Sequence, residues 1–479
     1  MVDPNLVVED IVTGLNQPVA MDFLAGDDFF VTEKATGQVK RVLNGAVHSV
    51  VLDLAVNSSS ERGLLGIALH PQFPTPPQVF LFWTESSSGT DSNSVGDVPL
   101  LGHRVDRYLW NGSTLVFDAN LLRLRAFQED LNLITNPADP FDSPAPLQRG
   151  NHNGGIVRFG QDGMLYVVQG DTGRRGWTQN NLAGPLPDDQ FGGPLPDDAH
   201  CTGAVFRIDT DGNAPTDNPL YYLGQICEVL FPAPFGTQLG YRIKRLFAYG
   251  IRNSIGMAFD PYSGDLWTSE NAGRAYDEIN RVEPGFNGGW VQIMGPSARV
   301  ADFKAIELAA GYGAGGPAGL QQLRFPADLI ADSEAEARSR LALVPGAKYH
   351  DPEFSWRHVV PPGGIGFIGS KALGLQYGGD LIVGSAVFRP VAPPPSVMAN
   401  PGNLYRFRLN AARTGLVFTD PALQDRVADN TGRDDWVTEG SEILWGTDFG
   451  IVTDIMTAPD GTLYLVGTST GTVRRIRHI

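Results

Sequence analysis

The 479-residue sequence predicts an all-β fold: a six-bladed β-propeller with long loop insertions and minor helical segments. Three observations predict it. A phrase of alternating apolar residues, a Pro/Asp/Gly turn, a second apolar strand and a later strand carrying Arg recurs six times. The chain holds 57 Gly and 35 Pro, a turn-rich supply that stops short of disorder. Hydrophobic residues make up 42%, enough for a large packed core.

The copies follow in order. The first runs over 19–24, turns at Gly26-Asp27-Asp28, and continues through 29–33 and 37–42. The second takes 66–71, 79–85 and 104–108. The third takes 155–159, 165–168 and, after a gap, 204–208. The fourth takes 256–259, 266–270 and 278–282, the fifth 366–368, 380–384 and 403–407, the sixth 455–461, 463–466 and 473–476. Short alternating runs bounded by turn residues are strands. The copies recur at about 80 residues, beyond the roughly 40–50 of a compact blade. The excess forms connections, the larger ones at approximately 111–151, 172–202, 291–363 and 410–450, within one propeller domain over 1–479. Loops of a propeller gather at its two faces, where sites are built. Residues 327–342 read as a short helix, and Gly-Pro-Leu-Pro-Asp-Asp, at 184–189 and 193–198, as an acidic loop, with a calcium site as the alternative.

Charge narrows the partners. Thirty-six Lys and Arg against 53 Asp and Glu leave a net charge of −17. That balance speaks against nucleic acid and anionic membrane surfaces. No apolar run approaches the ~18 residues of a membrane span. Met1-Val2-Asp3-Pro4 leads straight into Leu6-Val7-Val8 without a signal peptide, which leaves a cytosolic protein or the mature form of an exported one. Two cysteines, Cys201 and Cys227, exclude a disulfide scaffold; they either pair or stay as buried thiols.

Several residues are candidates for chemistry. Gly467-Thr468-Ser469-Thr470-Gly471 matches a nucleophile-elbow pattern, but it joins two strands and reads as a hairpin turn. His152, in Gly150-Asn151-His152-Asn153-Gly154-Gly155, leads into the third copy, and Asp171 closes that copy's next strand. The outer ends of antiparallel neighbours meet, so the two either touch or cap strand ends separately. A carboxylate on one imidazole nitrogen fixes the tautomer and frees the other to take a proton. Arg252-Asn253 holds the position of His152 one copy later, as a site residue or a surface Arg. Glu270-Asn271-Ala272-Gly273 matches Gly170-Asp171, and its small residues expose carbonyls that suit a hard cation.

Together, Thr32-Glu33-Lys34-Ala35-Thr36-Gly37, Glu61-Arg62-Gly63-Leu64-Leu65-Gly66, His152-Asn153-Gly154-Gly155, Gly170-Asp171, Tyr249-Gly250-Ile251-Arg252-Asn253 and Asp277-Glu278-Ile279-Asn280 resemble the soluble glucose and aldose sugar dehydrogenases that use pyrroloquinoline quinone (PQQ). Ser355-Trp356 with Pro361-Pro362 and Gly364 adds to the set. The family is a six-bladed propeller, and its relatives include Hedgehog-interacting protein, which lacks the activity. The resemblance implies His152 as catalytic base, Asp171 as the carboxylate that orients it, and Arg252 as the cation that polarises the quinone. It implies Glu61, Arg252, Asn253, Asn271 and Arg389 against the cofactor. It also implies a calcium ion held partly by the carbonyls of Ala272 and Gly273.

The sequence departs from the family's pattern where PQQ carboxylates need cations. Ala386-Val387-Phe388 stand where a Lys is usual, with Arg389 just after, and Phe449-Gly450-Ile451-Val452-Thr453 carries no cation. Arg174, Arg175 and Lys371 are candidate substitutes. The expectation is a periplasmic or secreted enzyme, monomer or homodimer. It would oxidise an aldose at C1 with PQQ and Ca²⁺ and pass electrons to an external acceptor. The alternative is a propeller with an altered or lost PQQ site, acting as another enzyme or as a glycan- or protein-binding module.

Overall fold

Six sheets of antiparallel strands stand around a central axis in the computed structural model, which describes residues 1–127, 150–173, 201–230, 233–312, 327–386, 389–390, 398–399, 401–432 and 439–479. The first blade comprises Pro18–Ala25, Asp28–Glu33, Gln38–Leu43 and Ala46–Asp53. The second comprises Leu64–Leu69, Gln78–Thr84, His103–Trp110 and Leu115–Leu124. The third has Val157–Phe159, Leu165–Gln169, Ala204–Ile208 and Leu246–Tyr249, extended by Phe286–Asn287. The fourth has Ser254–Phe259, Leu266–Glu270, Ala275–Val282 and Phe354–His358, extended by Val427–Ala428. The fifth has Pro362–Phe367, Leu381–Ser385, Asn403–Leu409 and Leu444–Thr447, with Leu416–Val417 beside the third of these. The sixth has Val452–Thr457, Leu463–Gly467 and Thr472–His478, and Leu6–Val12 from the other end of the chain completes it. That pairing locks the ring without a covalent bond.

The first three strands of every blade overlap the six copies, with the first strands of the fifth and sixth blades starting four and three residues earlier than read. The fourth strands of blades two, four and five lie inside stretches read as connections. Residues 327–342 hold a 3₁₀ turn, Ala327–Leu329, and the helix Glu334–Ser339, capped by Ser333. Two more helices, Tyr221–Leu230 and Phe235–Ile243, sit between the third and fourth strands of the third blade. Gly467–Gly471 is the expected hairpin, between Leu463–Gly467 and Thr472–His478. Cys201 and Cys227 are buried in one hydrophobic cluster. The acidic repeats at 184–189 and 193–198 lie outside the described residues.

The core fills the spaces between blades. Second strands such as Gln78–Thr84 are covered on both faces by neighbouring sheets and read as near-continuous apolar runs. Phe30, Val39, Leu64, Ile67 and Leu81 weld the first blade to the second, and Met21, Phe29, Tyr464 and Val466 weld the first to the sixth. Each such side chain contributes about 1.5–3 kcal/mol by leaving water. At the axis, inner strands meet almost backbone to backbone. A Cβ at Gly66 would stand 2.2 Å from the Gly155 carbonyl oxygen of the next blade, and one at Gly366 2.3 Å from that of Ile455. Among the described residues no helix is long and apolar enough to cross a membrane.

Candidate active site

The loops that lead into inner strands, and those that follow second strands, share one face of the ring. Residues 150–155 lead into the third blade and must turn sharply. Gly150, His152, Gly154 and Gly155 all have positive φ, at 136°, 57°, 63° and 100°. Glycine takes these angles freely, while histidine there carries strain of about 1–3 kcal/mol. Three contacts hold it. The His152 backbone N–H donates to Glu61 Oε2 at 2.7 Å, and its Nδ1–H donates to Asp171 Oδ1 at 2.6 Å. The third is the close fit of Gly170, whose absent Cβ would lie 2.3 Å from the His152 carbonyl oxygen and 2.7 Å from that of Arg252. His152 and Asp171 are 3% and 4% exposed, so their bond is charge-assisted and little screened. His152 Nε2 has no partner among the described residues.

Arg252 and Asn253 arrive from the next blade. The Asp171 backbone N–H donates to the Arg252 carbonyl at 2.8 Å, and the Arg252 backbone N–H donates to the Glu270 carboxylate. The Arg252 guanidinium lies 5.3 Å from the Trp290 ring centroid and donates from Nη1 to the Asn271 carbonyl at 2.7 Å. Its Nε is buried without a hydrogen bond among the described residues, as is Asn253 Oδ1. Asn253 Nδ2 donates to Glu61 Oε2 at 3.3 Å, so Glu61 bridges the His152 and Asn253 loops. Asn271 spends its amide on the Pro362 carbonyl, at 2.8 Å. Ala272 is anchored by its N–H on Asp277 Oδ1 at 2.7 Å, and neither its carbonyl nor that of Gly273 accepts a hydrogen bond among the described residues. The buried Glu307 carboxylate lies under Gly273, where a Cβ would meet Oε1 at 2.8 Å.

His152, Asp171, Arg252, Asn253, Glu61, Asn271, Ala272 and Gly273 are therefore brought to one face and linked. Arg389 lies in the short strand Arg389–Pro390, whose side chains are outside the described residues, as are Val387, Phe388, Arg174 and Arg175. Lys371 is a correction. It is exposed in the turn between Pro362–Phe367 and Leu381–Ser385, on the opposite face, and cannot replace a cation at this site. Ala386 is buried, and Phe449 packs with Trp445 and Leu404 in an apolar cluster.

Sequence reasoning gave no role to three buried groups. Trp290 donates from Nε1 to Asp171 Oδ2 at 2.9 Å. Glu270 and Glu278 are register partners on adjacent strands, both fully enclosed, and burial pushes both carboxyls well above the usual range. The available signal for the pair was an acid at the end of one strand, Glu270, and one within the next, Glu278. Trp290 offered only a tryptophan after Gly288-Gly289.

Comparison with known proteins places this geometry. A family model described as glucose/sorbosone dehydrogenase matches residues 15–299. Quinoprotein glucose dehydrogenase B of Acinetobacter calcoaceticus is 28% identical over 300 residues, covering 60% of this chain and 52% of that relative, so the match spans about half its length. The soluble aldose sugar dehydrogenase of Escherichia coli, solved in its apo form, superposes with TM-score 0.59 at 20% identity over 99% of this chain and 100% of that one. The PQQ-bound aldose sugar dehydrogenase of Streptomyces coelicolor gives TM-score 0.55 at 20% identity, covering 98% of each chain. At that identity the structural likeness carries the fold.

Proposed function

The chain belongs to the glucose/sorbosone dehydrogenase family, and on that premise we propose that it oxidises an aldose sugar at C1 to the lactone, with PQQ and Ca²⁺ as cofactors and an external electron acceptor. One observation carries the reading: the buried His152–Asp171 pair and the buried Arg252, whose guanidinium shares Trp290 with Asp171. The Asp171 carboxylate fixes the proton on Nδ1, so Nε2 is the atom that takes a proton from a sugar hydroxyl. Asp171 then stabilises the imidazolium, while Trp290 and the Gly173 N–H, at 2.9 and 2.8 Å, hold the carboxylate still.

The residues fit the quinone end of such a cofactor. Among the described residues Arg252 Nε and Asn253 Oδ1 are buried and unpartnered, and the carbonyls of Ala272 and Gly273 accept no hydrogen bond, which suits a hard cation. When bound, PQQ supplies the two-electron acceptor, made more electrophilic by Ca²⁺ and a guanidinium. Arg252, Asn253 and Glu61 would border it. The fifth- and sixth-blade side is built differently, with apolar Ala386 and Phe449. That observation favours a second reading, in which the same scaffold takes another cofactor or serves as a glycan- or protein-binding module. A periplasmic or secreted location goes with the first reading.

The test is direct. Apo protein is titrated with PQQ and Ca²⁺ and given aldoses with an artificial dye acceptor. Dye reduction that depends on PQQ and disappears in His152→Ala is the expected result. Absence of PQQ binding leaves the second reading.

A further inference from the structure

Trp290 touches both halves of the site. Its Nε1–H donates to Asp171 Oδ2 at 2.9 Å, on the oxygen that His152 does not use. Its ring supports the Arg252 guanidinium, with Cζ 5.3 Å from the centroid. The side chain is 3% exposed, so both contacts lie in a low-dielectric setting where they are strengthened. Its segment is fastened on either side. The Trp290 backbone N–H donates to the Gly250 carbonyl at 3.1 Å, Gly289 N–H donates to Asn287 Oδ1 at 3.0 Å, and Gly295 N–H donates to Glu278 Oε1. Arg252 is fastened correspondingly, its backbone N–H on the carboxylate of Glu270, which pairs in register with Glu278. One indole thus sits between two loops that adjacent buried acids hold in place.

We propose that Trp290 is a positioning residue that sets the base and the cation relative to each other. Its N–H fixes the Asp171 carboxylate, and through it the imidazole, while its face sets the plane of the guanidinium. This rests on the function proposed above. An indole does both tasks; a phenyl ring does only the second.

Two substitutions separate the tasks. Trp290→Phe keeps an aromatic face and removes the N–H; Trp290→Leu removes both. PQQ affinity is read by absorbance titration of apo protein with Ca²⁺, and kcat by dye reduction with glucose at saturating PQQ. Trp290→Phe is expected to bind PQQ within about threefold of wild type while kcat falls about 10–100-fold, the loss of one hydrogen bond to a charged group. Trp290→Leu is expected to weaken PQQ binding by a further factor of about 3–30, the loss of a desolvated cation–π contact. A wild-type kcat in Trp290→Phe, or equal loss of PQQ affinity in both variants, overturns the proposal.

A second measurement needs no quinone. In apo protein labelled with ¹⁵N at its eight tryptophans and its histidines, the indole resonance absent from Trp290→Phe should move upfield in Asp171→Ala. The His152 Nδ1–H resonance should shift in Trp290→Phe. Unmoved resonances overturn the proposal even if PQQ binds. If PQQ does not bind at all, the functional reading fails, while these spectra still decide whether Trp290 sets the dyad.

Discussion

Asp171→Asn changes a single atom type and tests the dyad with little change of shape. Among the described residues Asp171 accepts from His152 Nδ1–H at 2.6 Å and the Gly173 N–H at 2.8 Å on Oδ1, and from Trp290 Nε1–H at 2.9 Å on Oδ2. An amide has one oxygen. With that oxygen in the Oδ1 place, its NH₂ faces the Trp290 N–H, and one bond to a charged group is lost, worth about 1.5–3 kcal/mol. Turned over, the NH₂ donates to His152 Nδ1, which moves the imidazole proton to Nε2 and blocks proton uptake there. Both orientations also remove the charge that stabilises an imidazolium. The expected outcome is a folded protein whose dye-reduction kcat falls by about 10²–10⁴, with PQQ affinity within a few-fold of wild type. A PQQ titration and a thermal scan accompany the rate measurement. A folded Asp171→Asn protein that keeps kcat within threefold of wild type would refute the assignment of Nε2 as proton acceptor.

Three further outcomes are expected. His103 is fully buried, its Nε2 accepting from Asn153 Nδ2 at 2.9 Å and its Nδ1 bonded to Thr84 Oγ1 at 2.9 Å, and burial, with Arg62 nearby, pushes its pKa down to about 3. The unfolded chain therefore binds one more proton between about pH 6.5 and 3, so stability contributed by neutral His103 is present above that window and is lost as pH falls, by about 1.4 kcal/mol per pH unit. Urea unfolding at pH 7, 5 and 4 should show stability that falls with pH by about that much more in wild type than in His103→Gln; equal slopes contradict it. Gly402 has φ 58°, and a Cβ there would stand 1.7 Å from the Gly450 carbonyl oxygen, so Gly402→Ala should cost about 2–5 kcal/mol in chemical denaturation. Calcium with PQQ should raise the calorimetric midpoint, by about 2.7 kcal/mol of stabilisation at one hundred times Kd, and a chelator should reverse it; an unchanged midpoint speaks against the carbonyl site at Ala272 and Gly273.

The sequence made some parts of this molecule legible and hid others for a physical reason. Hairpins such as Asp28–Glu33 with Gln38–Leu43 repeat one local pattern, and their register follows from alternation. Fourth strands follow connections of irregular length, and Leu6–Val12 pairs with Thr472–His478 across nearly the whole chain, where no local pattern reports the partner. The same division holds at the site. Arg252 repeats the position of His152 one copy later, and Asn271 lies near the position of Asp171, so repetition exposed them. Trp290 reaches Asp171 from 119 residues away along a connection without periodicity. The carbonyl contact that Gly170 makes possible with both loops is equally invisible in a string of letters.

The backbone-to-backbone seams at Gly66 and Gly366 have a mechanical consequence. Six wedges on a closed circle share one circumference, so a methyl group forced into one seam cannot be absorbed by that seam alone. It acts like a shim driven under a hoop, pushing every wedge outward. Tolerance to substitution at these two glycines therefore measures the slack in the entire annulus, and damage there should reach His152 and Arg252 through the ring as well as through the neighbouring loops.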